Sequence, residues 1–132
     1  MSQRVKKMDR IRKVQQQLHK MAEWELVRLQ QKGTELKAAQ VAVIEALNDD
    51  EKLSGLFVDA ASKRLRAFAT EADQVEQRRH KQAEETLDRA MQVKRTEKML
   101  SSLKEDHRRE SERRDLMAIL ESVVARGDAS SA

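Results

Sequence analysis

One cluster of turn-forming residues, Asn48-Asp49-Asp50-Glu51-Lys52-Leu53-Ser54-Gly55, separates two long stretches that almost nothing interrupts. Asn, Asp and Ser side chains bond to their own backbone and Gly relaxes the steric limits, so such a cluster bends a chain. There is no proline, and outside the cluster the only glycines are Gly33 and Gly127. A backbone with so few breaks predicts two helices joined by one bend. Asn48 can cap the end of the first, and either Asp49 or Ser54 can cap the start of the second. Aromatic residues make up only 2% of the chain and charged residues 38%. That is too little bulk for a thick core, so apolar surface has to be buried along a seam between helices.

The periodicity locates that seam. In the first segment the apolar stripe is Val5, Met8, Ile11, Val14, Leu18, Ala22, Leu26, Leu29, Gly33, Leu36, Gln40, Val43 and Leu47. In the second it is Phe57, Ala61, Leu65, Phe68, Ala72, Val75, Arg79, Ala83, Leu87, Ala90, Val93, Thr96, Leu100 and Leu103. Steps of four and three alternate for most of each stripe, as in a heptad seam that wants one partner helix. Each stripe also has a run of successive fours, between Ile11 and Leu29 and between Ala72 and Ala90, where the supercoil should relax. The two irregularities face each other if the segments pair antiparallel, with Ile11 against Val93, Val14 against Ala90, Leu18 against Leu87 and Leu47 against Phe57. Gly33 falls opposite Ala72, either to let the backbones approach or as a tolerated defect.

The pairing leaves the second segment longer. Lys104 to Asp115 contains no apolar residue, which predicts a solvated helix carried by the i,i+4 pairs Glu105–Arg109 and Glu110–Arg114. Beyond it, Leu116 to Val124 is an apolar patch that the first helix does not reach. The resulting expectation is an all-α chain: a long two-helix antiparallel coiled-coil hairpin whose second helix overhangs the first. Residues 1–126 form one domain, with helices over 2–47 and 56–126 and a turn over 48–55, and 127–132 form a disordered tail with Gly127 as the helix stop.

The same residues exclude several functions. Absence of Cys removes disulfides, and His19, His80 and His107 fall on different parts of the hairpin, so no metal site and no cofactor is expected. No Gly-rich phosphate loop, HExxH or Ser/His/Asp grouping appears, so no enzyme is expected. No apolar run is long enough to insert in a membrane, and the charged start of the chain lacks the pattern of a secretory signal. A cytoplasmic protein is the reading that remains. The formal net charge of +4 hides a polarity: Arg4, Lys6, Lys7, Arg10, Arg12 and Lys13 crowd the open end, while Glu45, Asp49, Asp50, Glu51 and Asp59 crowd the turn. The basic end could hold phosphates. A chain that turns back on itself lacks the parallel seam of a basic zipper, however, and apart from Trp24 it has no ring near that end for base stacking, so no nucleic acid is expected. Trp24 itself should flank the core, with a contact anchor as the other reading.

Two stretches carry a family resemblance. Lys94-Arg95-Thr96-Glu97-Lys98-Met99-Leu100 resembles the Lys-x-x-Glu-Lys-Leu segment of the flagellar export protein FliJ family, and Arg108 to Asp115 resembles the charged run that follows it there. The pattern is also similar to the YscO family of type III secretion systems. The resemblance implies a non-enzymatic stalk whose terminal end enters the pore of a hexameric export ATPase and promotes its activity. A second surface would engage the export gate's cytoplasmic domain and export chaperones. It implies pore-facing roles for Arg4, Lys7, Arg10, Arg95 and Lys98, with Arg108, Arg109 and Arg113 near them. Ala61, Leu65 and Phe68 become the gate-facing candidates, and Leu116, Ile119 and Leu120 of the overhang complete the partner-binding set. A cytoplasmic location at the inner membrane face through partners, and at most a weak homo-oligomer, complete these expectations.

Overall fold

The computed structural model describes residues 2–49 and 55–131. Helix α1 spans Gln3–Asp49 (47 residues) and helix α2 spans Gly55–Ser131 (77 residues). No strand occurs among the described residues, and the two helices pack against each other as an antiparallel helical hairpin. Ser2 caps α1: its Oγ accepts from the Val5 amide at 3.2 Å and its carbonyl accepts from the Lys6 amide at 3.2 Å. These bonds satisfy amides that the first turn leaves without helical partners.

The element ends differ from expectation. Asn48 and Asp49 remain helical, so neither is a cap, and Ser54 with the rest of 50–54 lies outside the described residues. Gly127 does not stop α2, which continues to Ser131; only Ala132 of the expected tail lies outside the description. No glycine has a positive φ, so Gly127 does not adopt the left-handed conformation that ends a helix. Flanked by Ala125, Arg126 and Ala129, it simply carries the hydrogen-bond ladder on.

The chain divides into two compact units: Gln17–Ala90, and Met1–Gln16 with Met91–Ala132. In unit 17–90, Ala22, Leu29, Leu36, Ala61 and Val75 are buried, and Leu29, Leu36 and Val75 form one cluster against which Phe68 and Ala72 pack. Lys32 reaches Glu71 across the seam at 3.4 Å. Phe57 is less covered than its seam position suggests and lines a hollow of about 320 Å³ with Val43, Ala46, Ala61 and Phe68. In the other unit, Val5, Thr96 and Leu100 are buried, and Gln16 donates to Glu97 at 3.3 Å. In unit 17–90 the Lys32–Glu71 and Ala22–Gln82 contacts match the expected antiparallel register to within a turn.

The phase of the seam does not hold throughout. Ile11, Val14 and Leu87 are 39%, 60% and 62% exposed, although the apolar spacing assigns all three to the seam. Half-buried positions there include Arg12 and Gln15 in one unit and His19, Gln82, Thr86 and Arg89 in the other. The inward positions of each helix thus keep alternating three and four without the run of fours. An unbroken alternation keeps constant pitch, and both helices must share that pitch to stay in contact. Following the three apolar side chains would need a local change of pitch in both helices. Holding phase leaves about 1 kcal/mol of burial unrealised at each one, and polar side chains fill the positions instead. Gln82 Nε2 donates to the Ala22 carbonyl at 3.1 Å. The Thr86 hydroxyl lies 2.7 Å from the Gln82 carbonyl and 3.2 Å from that of Ala22, with one proton to give. Gln15 Oε1 is buried with no hydrogen-bond partner.

Trp24 does not flank the core, being 61% exposed. Every described side chain from Asp106 onward is exposed as well. The expected ion pairs hold this part of α2, Glu105–Arg109 at 3.3 Å and Glu110–Arg114 at 3.6 Å. Arg108 adds bonds to Glu105 and to Glu112, the latter at 2.8 Å, which joins three turns into one network.

Candidate partner-binding groove

A groove of about 550 Å³ lies in the unit that contains both ends of the chain, lined by Arg4, Met8, Arg95, Lys98, Met99, Ser102 and Leu103. Helical spacing builds it. Arg4 and Met8 are one turn apart on α1, beside buried Val5. On α2, Arg95, Met99 and Ser102 follow one another at helical spacing beside buried Thr96 and Leu100, with Lys98 next to them. The buried residues hold the helices together, Met8 and Leu103 continue the seam beside them, and Arg4, Arg95, Met99 and Ser102, one position out, complete the walls. Two thioethers and a leucine make an adaptable apolar floor. Three cations stand around it.

The groove joins positive charge to an apolar floor. Among the described residues, Arg4, Arg95 and Lys98 have no carboxylate within salt-bridge distance. Nearby, Arg12 bonds Asp9 through Nε at 3.1 Å and Nη2 at 2.8 Å, and Lys13 reaches Asp9 at 3.4 Å, whereas Lys6, Lys7, Arg10 and Arg113 share with the rim cations the lack of a carboxylate at that distance among the described residues. Hydrogen bonding from Arg12 holds the Asp9 carboxyl below the usual range, and Arg108 does the same to Glu105. Both carboxylates therefore stay ionised and bound to those arginines. A free cationic rim over an apolar floor suits an acidic amphipathic helix, whose carboxylates meet the rim while its apolar face lies on the methionines.

Three of the eight expected pore-facing residues, Arg4, Arg95 and Lys98, come together here. Lys7 and Arg10 are exposed on α1 outside the groove. Arg108 lines a neighbouring polar groove with Arg12, Glu97 and Lys104 but is bound to Glu105 and Glu112. Arg109 is paired with Glu105, and Arg113 lies further along α2 beside Met117 and Glu121. The gate-facing set is corrected: Ala61 is buried and Leu65 and Phe68 are half-buried in the seam of unit 17–90, because their spacing is the seam's own. α1 already covers the surface they would offer. Leu116, Ile119 and Leu120 are exposed and available. Met8 and Leu103 were assigned to the seam by periodicity alone, and Ser102 carried no signal. Met8 and Leu103 keep those seam positions, and Ser102's place one step from Leu103 is what could have marked it.

Among the described residues no group of three His, Cys, Asp or Glu side chains could hold a metal ion. His19 instead contacts Glu23 at 3.0 Å and His80 contacts Glu84 at 3.4 Å, each one turn along its own helix. No described helix is long and apolar enough to cross a membrane. Comparisons with protein-family models, with curated proteins and with solved structures find no match to this chain.

Proposed function

We propose that the protein is a non-enzymatic helical hairpin of a flagellar or type III protein-export apparatus, which binds the hexameric export ATPase through the groove around Arg4, Arg95 and Lys98 and raises its activity. The observation that carries this reading is the meeting of three unpaired cations over a methionine floor at the unit formed by the chain's two ends. Sequence supports it independently, since two of those cations, Arg95 and Lys98, fall in the stretch that resembles the FliJ family. In this role the hairpin offers a preformed surface, so the ATPase does not bear the entropy of ordering it. Export chaperones and the export gate would bind elsewhere on the chain, in the cytoplasm, and would hold it at the membrane face.

The test is the hydrolysis rate of the export ATPase from the same organism, measured alone, with this protein, and with Arg95→Ala/Lys98→Ala. Stimulation by the wild type that falls several-fold in the variant is the expected result, together with a steep loss at raised salt. Stimulation that the variant leaves intact would move the contact away from the groove. No stimulation by a helical wild-type protein would overturn the ATPase role and favour a coiled-coil scaffold.

A further inference from the structure

The end of α2 carries an apolar face that the hairpin does not use. Leu116, Met117, Ile119, Leu120, Val123 and Val124 are each 50–62% exposed. From Leu116 to Ala125 the only charged residue is Glu121, directly after a segment that is charged or polar throughout. The face is centred away from the hairpin seam. Extending the inward positions Thr96, Leu100 and Leu103 at heptad spacing leads to His107, Glu110, Arg114, Met117, Glu121 and Val124, so only Met117 and Val124 of the patch fall on that line. The apolar stripe runs instead through Leu116, Leu120 and Val123, one residue out of phase and so about 100° round the helix. A partner on this stripe approaches from a different side than α1 does.

We propose that this face binds a second copy of the same chain, with the two α2 ends antiparallel about a two-fold axis near Leu120. The sequence is self-complementary in that arrangement and in no parallel one. With heptad spacing, Leu120 lies against Leu120 and Val123 of the second copy, and Leu116 lies against Val123 and Gly127. On the flanks, Ile119 meets Ile119 and Met117 meets Val124, so every apolar side chain finds an apolar one. At the margins Glu112 meets Arg126, twice by symmetry. Arg126 has no carboxylate partner among the described residues, and Glu112 is held only by the exposed Arg108. A parallel pair would instead stack Arg109 and Arg113 on their own copies along the same stripe, which like charges oppose. Six half-exposed side chains offer on the order of 600 Å² per copy, near the low end for specific interfaces, so the dimer is a weak one with a dissociation constant in the micromolar range. Such an interface is isologous and closes, so it gives dimers and not filaments.

Sedimentation equilibrium of the full chain, from about 5 to 500 μM, tests the proposal. The wild type is expected to show a monomer–dimer equilibrium. Leu120→Asp places two carboxylates beside the two-fold axis and should weaken it at least ~30-fold, while the position's exposure leaves the hairpin helical by circular dichroism. Glu112→Arg should weaken dimerisation several-fold, and Glu112→Arg/Arg126→Glu should restore it. A chain that stays monomeric over the whole range overturns the proposal and assigns the patch to another partner. A dimer indifferent to Leu120→Asp, or a charge reversal without rescue, overturns the antiparallel pairing. None of these outcomes depends on ATPase stimulation.

Discussion

Gly33→Ala separates two explanations for a glycine in the middle of a long helix. If Gly33 is there to let the helices approach, a methyl group will force them apart. If it is a tolerated defect, the methyl will stabilise. The structure favours the second, because a Cβ placed on Gly33 meets Val75 Cγ1 at 3.9 Å and nothing closer. That is ordinary van der Waals contact. Replacing a helix-interior glycine by alanine gains about 1 kcal/mol, chiefly by restricting the unfolded chain. The new methyl also fills space beside the Leu29, Leu36 and Val75 cluster, which adds a few tenths more. The total is about 1 to 1.5 kcal/mol, or roughly 4–6 °C in Tm for a chain of this size. Urea unfolding followed by helical circular dichroism measures it, with an unchanged m-value confirming that the unfolded reference is the same. A variant less stable than wild type would refute the reasoning, because it would mean that the helices at Gly33 and Val75 lie closer than 3.9 Å contact allows.

A paired truncation tests the seam phase. Leu36→Ala removes a buried member of the cluster and should cost about 2–3 kcal/mol, while Leu87→Ala, at a position 62% exposed, should fall within about 0.5 kcal/mol of wild type in the same unfolding assay. Equal losses at the two sites would restore the purely apolar phase. Acid should loosen the charged part of α2. Bonding from Arg108 lowers the Glu105 carboxyl from its ordinary value, so its support is complete above the ordinary carboxylate range and disappears as pH falls through the lowered value. Helical signal lost between about pH 5 and 2 should accordingly be smaller in Glu105→Gln, which lacks the pair already at neutral pH; an equal acid-induced loss in both proteins would mean that the pairs do not hold the helix.

Much of the fold is a property of local pattern. Absence of proline, one turn cluster around Asn48 to Gly55, and three–four apolar spacing are each visible along the chain, and each acts over a few turns. They determine two helices, their antiparallel pairing and the ion-paired overhang, because helix periodicity and i,i+4 contacts are short-range. The groove was half legible. Arg4, Arg95 and Lys98 stood out as charge, but only the crossing of α1 and α2 brings them over Met8, Met99 and Leu103.

What the chain alone did not decide is which residues turn inward where apolar spacing and constant pitch disagree. Ile11, Val14 and Leu87 are as hydrophobic as their neighbours, and on their own helices they mark the seam. Phase belongs to a pair of helices and not to one. Both must keep the same pitch for their buried blocks to meet, and that shared constraint turns Gln15, Gln82 and Thr86 inward at the expense of three apolar side chains. Ala61, Leu65 and Phe68 lie in the seam for the same reason, since a residue's availability depends on what lies across from it. Gly127 is the converse case: a residue type that often ends a helix keeps a helical backbone here, and α2 runs on to Ser131.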